Sequence, residues 1–532
     1  MTASRWYRAA HAGWPDAEQS VGALVLRLAT VLFALLVVGA LALQIYQFDG
    51  RNYRDDEIRT VHAGLTLSPS EVVQWMSVDI HPPFWRVLGA LWVSAFGPTE
   101  SIVRFQSTLF AALALALLYR HAADLFDRRV ALLAVFLLGT HAVFIFYAHE
   151  FRPYAALLMW VLALHFSFVR WLLTRRFLYA VLYLLCAAAA LYTHFFAAYA
   201  IAGQVVALLL LVRWDRRLYV RAFGLWLAVG LAFTGWLPSF LHSFLVTKPG
   251  GIGYSLPLDD PGTPGLLFDT FQLRPYVLGS LFVGVALLTP LARILGRDDK
   301  AQDTARFRLG VAWRKWYWVI VAITVVVGAL LTDTYITKVV TQRNFIVLLP
   351  ALVLLAALGL RALPWQAALV ALPLLLNPAV RNFADFQSNQ PYQEVQAFIA
   401  QEYQPGSPIV VSVDQGNGRY FAYDYYLLDT LPGSVSNDDF FNLTLGGPPV
   451  NLPDTDLSHI TGPSPAEVAQ FDALIAAAAQ VYWISSNSAP DYAQTYRDAL
   501  LQAGFVVTRS ERYYAYGSAY AVEAYTRADS GG

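Results

Sequence analysis

The sequence predicts a polytopic α-helical membrane protein, of about 11 transmembrane helices, with a C-terminal extracytoplasmic α/β domain. Three observations carry that prediction. Of 532 residues, 57% are hydrophobic and only 14% are charged, whereas a soluble chain usually carries roughly a quarter charged residues. Apolar runs long enough to cross a bilayer, which takes roughly 20 residues, recur along most of the chain. After Asn377 the character changes, and residues 390–532 alternate helical patterns with short β-branched runs instead.

Bulk charge excludes some partners. The 37 basic and 37 acidic residues cancel, which argues against a nucleic-acid partner. Cys186 is the single cysteine and lies in an apolar run. A disulfide framework and a multi-cysteine metal site are therefore excluded, and a buried thiol is the simple reading.

Residues 1–20 are polar, carry Arg5 and Arg8, and read as a cytoplasmic N-terminus. Val21 to Leu43 is the first spanning run. Ala40-Leu41-Ala42 imitates a cleavage site, but the run exceeds the h-region of a signal peptide, typically about 7–15 residues. It is read as an uncleaved helix, which places the polar insert from Arg51 to Arg86 outside. Pro82 to Gly97 is apolar but short, with Arg86 in its first turn, and reads as an interfacial helix. The outer loop 45–101 is thus expected to carry juxtamembrane helices.

The positive-inside rule orders the remainder. Ile102 to Arg120 runs inward to Asp127-Arg128-Arg129, and Val130 to Tyr147 returns outward. Tyr154 to Leu173 runs in, Phe177 to Tyr192 out, Phe195 to Val212 in and Leu218 to Leu241 out. A Gly- and Pro-rich loop, Lys248 to Pro264, precedes an inward run from Tyr276 to Leu295. Six Lys/Arg in residues 296–316 mark the cytoplasmic side. Trp316 to Leu331 then runs out, Phe345 to Leu360 in and Trp365 to Leu376 out. On this topology the acidic and His-bearing clusters fall outside and nearly every Arg cluster inside. The transmembrane catalytic domain spans 21–380, and residues 381–532 form the α/β domain. There, Val395 to Glu402 and Asp491 to Ala503 read as helices, the latter stopped by Gly504, and Ile409 to Val413 and Val481 to Ile484 as strands.

Four groups of residues carry candidate chemistry. Asp55, Asp56 and Glu57 are three adjacent carboxylates. Mutual repulsion and low dielectric at a membrane surface are expected to raise at least one pKa, which tunes a general base toward neutrality. The alternative is acidic residues attracted to a helix N-terminus. In Asp79-Ile80-His81-Pro82-Pro83, a carboxylate and an imidazole two residues apart suit a divalent metal or a phosphate oxygen, and the prolines stiffen the turn. Two ligands do not make a site, so a metal stays open. His149-Glu150-Phe151-Arg152-Pro153-Tyr154 and His194 share the outer compartment, where polar residues and Tyr also mark a membrane interface. Lys338 and Arg343 are basic residues on the outer side, where positive charge is disfavoured, and Arg suits a bidentate grip on phosphate. Gly250-Gly251-Ile252-Gly253 lacks the GK[ST] of a P-loop, and Asn442-Leu443-Thr444 is a sequon by pattern alone.

In order, these pieces are a first helix, an outer loop with Asp-Asp-Glu, His-Pro-Pro, and the Arg-Phe-x-Ser of Arg104 to Ser107. The run from Leu125, His-Glu-Phe-Arg-Pro-Tyr and Tyr-Thr-His-Phe-Phe follow. The whole resembles the GT-C superfamily of lipid-phosphate-sugar-dependent glycosyltransferases, in its dolichyl-phosphate-mannose–protein mannosyltransferase-like branch, to which the lipid A aminoarabinose transferases are related. The resemblance is strong over about residues 20–210.

It implies an inverting transfer from a polyprenyl-phosphate sugar to a glycan, lipid or protein acceptor on the outer face of the plasma membrane. Asp56 would then be the base, with Glu57 orienting it. Glu150 would be a second acid partnered by Arg152, with Tyr154 beside them. Arg343 and Lys338 would hold the donor phosphate, and Asp55 and His81 would contact substrate. Asp79 and His194 would line the site and are the residues for a metal, since some relatives use one and others do not. His149 stands where many relatives have Gln. Two readings outside this class are a transporter or flippase for lipid-linked sugars, and a non-catalytic glycan-binding membrane protein. A transporter is expected to place charge at the membrane midplane and to show inverted repeats, and the sequence shows no repeat.

Overall fold

The computed structural model describes residues 52–243, 307–362, 392–404, 406–412, 440–442, 465–486, 493–515 and 518–528, with isolated positions at 39, 42 and 245. Val21 to Leu43, the Lys248 to Pro264 loop, Tyr276 to Leu295 and Trp365 to Leu376 lie outside the described residues, apart from positions 39 and 42.

The polar insert folds as three helices. Helix α1, Asp55–Thr66, opens on its three carboxylates, which suits the positive end of a helix dipole. The Arg54 N–H donates to Glu57 at 2.9 Å, closing the first turn. Helix α2, Pro69–Met76, has the signature of a capping box. Ser68 N–H donates to Glu71 at 2.7 Å, and Glu71 N–H to the Ser68 hydroxyl at 3.4 Å. Helix α3, Phe84–Phe96, starts after Pro82-Pro83 and stops at Gly97, whose φ of 94° is left-handed. At 13 residues it is shorter than a span, in keeping with the interfacial reading. Helix α1 presses directly on α3 because Gly64 lets it: a Cβ there would stand 2.6 Å from that of Val93.

The apolar bundle follows. Its helices are α4, Glu100–Leu125; α5, Arg128–Gly139; α6, Ala142–Ala148; α7, Tyr154–Thr174; α8, Phe177–Thr193; and α9, Ala197–Leu211. Helix α10, Arg216–Phe233, continues through a 3-10 turn into α11, Leu237–His242. Helix α12, Trp313–Tyr335, leads through a 3-10 turn at Gln342–Leu348 to α13, Leu349–Ala362.

Among the described residues, five segments are long and apolar enough to cross a membrane: Glu100–Leu125, Tyr154–Thr174, Arg216–His242, Trp313–Tyr335 and Arg343–Ala362. The expected single span Val130 to Tyr147 is instead the α5–α6 pair, bent by 66°. The helix breaks at Thr140 and His141, where the Thr140 hydroxyl bonds back to the Phe136 carbonyl at 2.8 Å, a local bond that competes with the helix ladder. Counting that pair gives up to six spans among the described residues, against the 11 expected. Helices α8 and α9 are apolar but shorter than a straight span.

The two ends of the bundle differ chemically. At one end, Asp124 pairs with Arg120 at 3.2 Å and with Arg170. Arg361 pairs with Asp127 at 2.8 Å, and Arg314 donates to the Leu125 carbonyl at 2.7 Å. These residues come from segments that the sequence assigns to the cytoplasmic side. The other end carries the α1–α3 helices and the His149–Pro153 turn, and a continuous apolar core lies between.

The C-terminal part is a five-stranded sheet with helices α14, Tyr392–Ala400; α15, Pro465–Ala476; and α16, Ala493–Gln502. Strands β1, Ile409–Ser412; β2, Phe440–Asn442; β3, Gln480–Ser486; β4, Phe505–Ala515; and β5, Ser518–Arg527 stand in the order β2-β1-β3-β5-β4. Strands β2, β1 and β3 are parallel, while β5 and β4 form an antiparallel hairpin beside them. Gly504, with φ of 84°, ends α16 as its sequence position suggests. One apolar cluster joins Tyr392, Val395, Ile409 and Tyr482 of this part to Tyr53, Ile58, Trp85 and Phe151 of the outer helices. The sheet therefore sits on the same end as α1.

Candidate active site

The site is built where α1 begins. Glu57 is fully buried and saturated with donors. Arg104 of α4 reaches it through Nη2 at 3.1 Å and Nε at 3.3 Å. The Phe151 N–H donates at 2.7 Å, and the Arg54 N–H at 2.9 Å. Burial alone would raise its pKa, but Arg104 and the backbone donors outweigh that and lower it. Glu57 thus ties α1, α4 and the 149–153 turn together, while Asp56, one residue earlier, stays half-exposed.

Asp56 Oδ2 pairs with Arg152 at 2.9 Å. Burial pushes its pKa up, and the charges of Arg152, Arg343, Arg86 and Arg59 push it down harder, so the carboxyl lies well below the usual carboxylate range. The upward shift expected from three adjacent acids is therefore not what the structure gives. The sequence expectation counted carboxylate neighbours and missed the guanidinium neighbours that the fold supplies.

Around this pair the structure gathers most of the expected residues. Glu150 is buried and pairs with Arg54, not with Arg152 as the sequence implied, because Arg152 is taken by Asp56; its carbonyl accepts from Ser107 Oγ at 2.6 Å. Arg152 lies 5.9 Å from the Tyr154 ring, and that ring is 5.8 Å from the His194 ring. His194 in turn stands 6.2 Å from the His81 ring. Burial first, then the charges of His81, Arg343 and Arg152, hold the His194 pKa well below the usual imidazole value, so it is neutral. Asp79 Oδ1 accepts from the His81 backbone N–H at 2.8 Å and meets its Nδ1 at 2.9 Å. Burial would raise the Asp79 pKa, but His81 and Arg86 bring it down to about 2.

Asp55 is the first residue of α1, beside Asp56 in the chain. Arg343 is half-buried and acts on both Asp56 and His194. The Lys338 ammonium lies 3.8 Å from Asp333 Oδ2. Among the described residues no three His, Cys, Asp or Glu side chains come together as a metal set. No chemical step is assigned to a metal.

The fold adds residues that the sequence reading did not rank. Arg86 donates to Thr60 Oγ1 at 2.6 Å and lies 5.0 Å from the Trp75 ring. Arg104 and Arg54 hold the two buried glutamates. Asp333 closes the turn before Lys338. A signal existed for two of them: Arg86 interrupts an apolar helix, and Asp333 is the only acid in α12. Isolated charge in such a segment is costly and calls for a partner.

Comparison with known proteins gives the same architecture. Residues 80–242 match a family model described as dolichyl-phosphate-mannose-protein mannosyltransferase. ArnT from Cupriavidus metallidurans bound to undecaprenyl phosphate is similar over 94% of this chain and 99% of its own, at a TM-score of 0.57 and 15% identity. Its apo state aligns over 93% and 98%, at a TM-score of 0.55 and 15% identity. The archaeal oligosaccharyltransferase AglB from Archaeoglobus fulgidus, in complex with an inhibitory peptide and a dolichol-phosphate, aligns over 86% and 69%, at 0.48 and 12%. No curated protein sequence matches the chain.

Proposed function

We propose that this chain, which has the fold of the GT-C membrane glycosyltransferases, moves a sugar from a polyprenyl-phosphate-linked donor to an acceptor at the outer face of the plasma membrane. The observation that carries the reading is Asp56: a half-exposed carboxylate facing the fixed cations Arg152, Arg343 and Arg86. A reaction that releases a phosphate anion while a hydroxyl or amine loses a proton needs both kinds of group within one site.

The acceptor oxygen or nitrogen attacks the anomeric carbon from the face opposite the phosphate. The bond between that carbon and the phosphate oxygen breaks, configuration inverts, and the proton passes to Asp56. Arg343, Arg152 and Lys338 stabilise the charge that develops on the leaving phosphate. Glu57 does not touch substrate; it positions Asp56 by fixing the start of α1. Glu150 holds Arg54 and anchors the turn that carries Arg152. The ArnT structure bound to undecaprenyl phosphate supports a lipid-linked donor by its likeness of fold. A transporter reading is less well supported, because the charged pairs sit at the helix ends rather than at midplane.

The test is turnover of a panel of short-chain polyprenyl-phosphate sugars by purified protein and by Asp56→Asn. Sugar release or transfer that falls by at least about 100-fold in the variant, at unchanged thermal stability, is the expected result. Turnover within about threefold of the parent protein would overturn the assignment of Asp56 as base.

A further inference from the structure

The turn between α12 and the 3-10 segment at Gln342 is organised by one carboxylate. Asp333 is 2% exposed, and its Oδ1 accepts from the N–H groups of Val339 and Val340 at 2.6 and 2.7 Å. The Ile336 and Thr337 N–H groups both return to the Thr332 carbonyl at 2.9 Å. Asn344 Nδ2 holds the Val339 carbonyl at 2.8 Å from the other side. Thr332 is itself fixed by the Tyr199 hydroxyl at 2.8 Å, from the helix that follows His194. The turn that bears Lys338 and Arg343 is thereby set against the site.

Oδ2 of Asp333 does something else. It is buried and accepts no hydrogen bond from the described residues, and the Lys338 ammonium lies 3.8 Å away on a side chain 37% exposed. Closing the turn requires only Oδ1, which an asparagine would supply without the cost of a buried charge. The charge is accounted for by the ammonium. An ion pair at that distance, without a hydrogen bond, is weaker than the short charge-assisted bonds a phosphate oxygen offers, typically about 2.7–2.9 Å.

Resting on the donor reading above, we propose that Asp333 is a positioning residue that parks Lys338 and yields it to the donor phosphate. Asp333 and the phosphate then compete for one cation. The empty site is kept near charge balance, and the lipid phosphate product is not bound so tightly that it stays.

The experiment measures binding of a short-chain polyprenyl phosphate to the full-length protein by calorimetry, with inorganic phosphate in parallel. Asp333→Asn keeps the acceptor for both backbone N–H groups and removes the competing charge. Affinity for the polyprenyl phosphate is expected to rise about tenfold, and Lys338→Met is expected to abolish that gain in the double variant. Unchanged affinity in Asp333→Asn, or a gain that persists without Lys338, overturns the proposal. A gain seen with inorganic phosphate alone supports the latch and counts against the lipid-linked donor. If Asp333→Asn fails to fold, Lys338→Met alone decides, because phosphate binding that does not weaken in it overturns the proposal.

Discussion

Neighbouring acids at the start of α1 are given opposite work by their surroundings. Glu57 is sealed among Arg104 and two backbone donors, whereas Asp56 looks outward past Arg152. Replacing Glu57 with Gln leaves Arg104 buried without its counter-charge, and breaking such a pair costs about 3–5 kcal/mol. A large fall in the thermal midpoint of Glu57→Gln in detergent is therefore expected; a midpoint unchanged from the parent would show that Arg104 finds another partner. For Asp56 the prediction concerns pH. A carboxylate whose pKa is lowered acts as a base above that pKa and loses the role as pH falls through it. Arg152 and the other guanidiniums hold Asp56 well below the usual value of about 4, so donor kcat/KM is expected to show no acid limb from Asp56 above about pH 4. Arg152→Gln removes the strongest of the opposing charges, lifts the pKa and moves that limb upward. The readout is the position of the limb, not its height, since Arg152 is also proposed to serve the phosphate. A limb at the same pH in both proteins would show that Arg152 does not set the basicity of Asp56.

The helices themselves were largely legible, because hydrophobic length and Arg placement are properties of local sequence. Tyr154 to Leu173 was expected and Tyr154–Thr174 is found; Ile409 to Val413 was expected and Ile409–Ser412 is found. Asp56, Arg152, His81 and His194, singled out by their chemistry in outer segments, are brought near one another by the fold. What sequence did not show was pairing across distance. The contact of Arg104 with Glu57 joins residues 47 apart, and no pattern within either helix predicts it. The break falls at Gly139-Thr140-His141, the one interruption in an otherwise apolar run from Val130, and a single short dip of that kind is averaged away over a window of spanning length. Strand β2 and helix α15 were missed too, the strand because three residues are too few for an alternating pattern. Close helix approach is another such feature, and it carries a prediction. Gly64→Ala puts a methyl group 2.6 Å from the Val93 Cβ and within 2.9 Å of the Ala90 carbonyl. Backbone must move, so α1 is pushed off α3 at a cost of about 1–3 kcal/mol. Because Asp56 is on α1, turnover is expected to fall more than stability. Turnover and melting temperature both equal to the parent values would mean that α1 packs less tightly than the geometry indicates.

Across the whole molecule, two polar ends flank one apolar bundle, and the ends do different jobs. The Asp124–Arg170 and Asp127–Arg361 pairs bind helix termini to each other, whereas Asp56 is held by the charges of four guanidiniums at once. The C-terminal sheet extends the Asp56 end rather than standing free, since the cluster of Val395, Ile399 and Tyr482 continues into Ile58, Trp85 and Phe151. Phe151 is also the residue whose N–H holds Glu57. Disturbing the sheet should therefore be felt at the 149–153 turn even though no described residue of the sheet pairs with Asp56. Val395→Asp buries a charge in that cluster without a partner, a change costly enough to loosen α14. Hydrogen exchange in the full-length variant is expected to rise at α14 and, with it, at residues 149–153, while the α7 interior stays protected. Exchange confined to α14 would mean that the shared cluster is continuous in space but not in energy, and that the sheet is dispensable for holding Arg152 in place. Joint loosening, accompanied by lost turnover, would make the C-terminal domain part of the site's rigidity, because the apolar contacts that seat it also back the turn carrying Arg152.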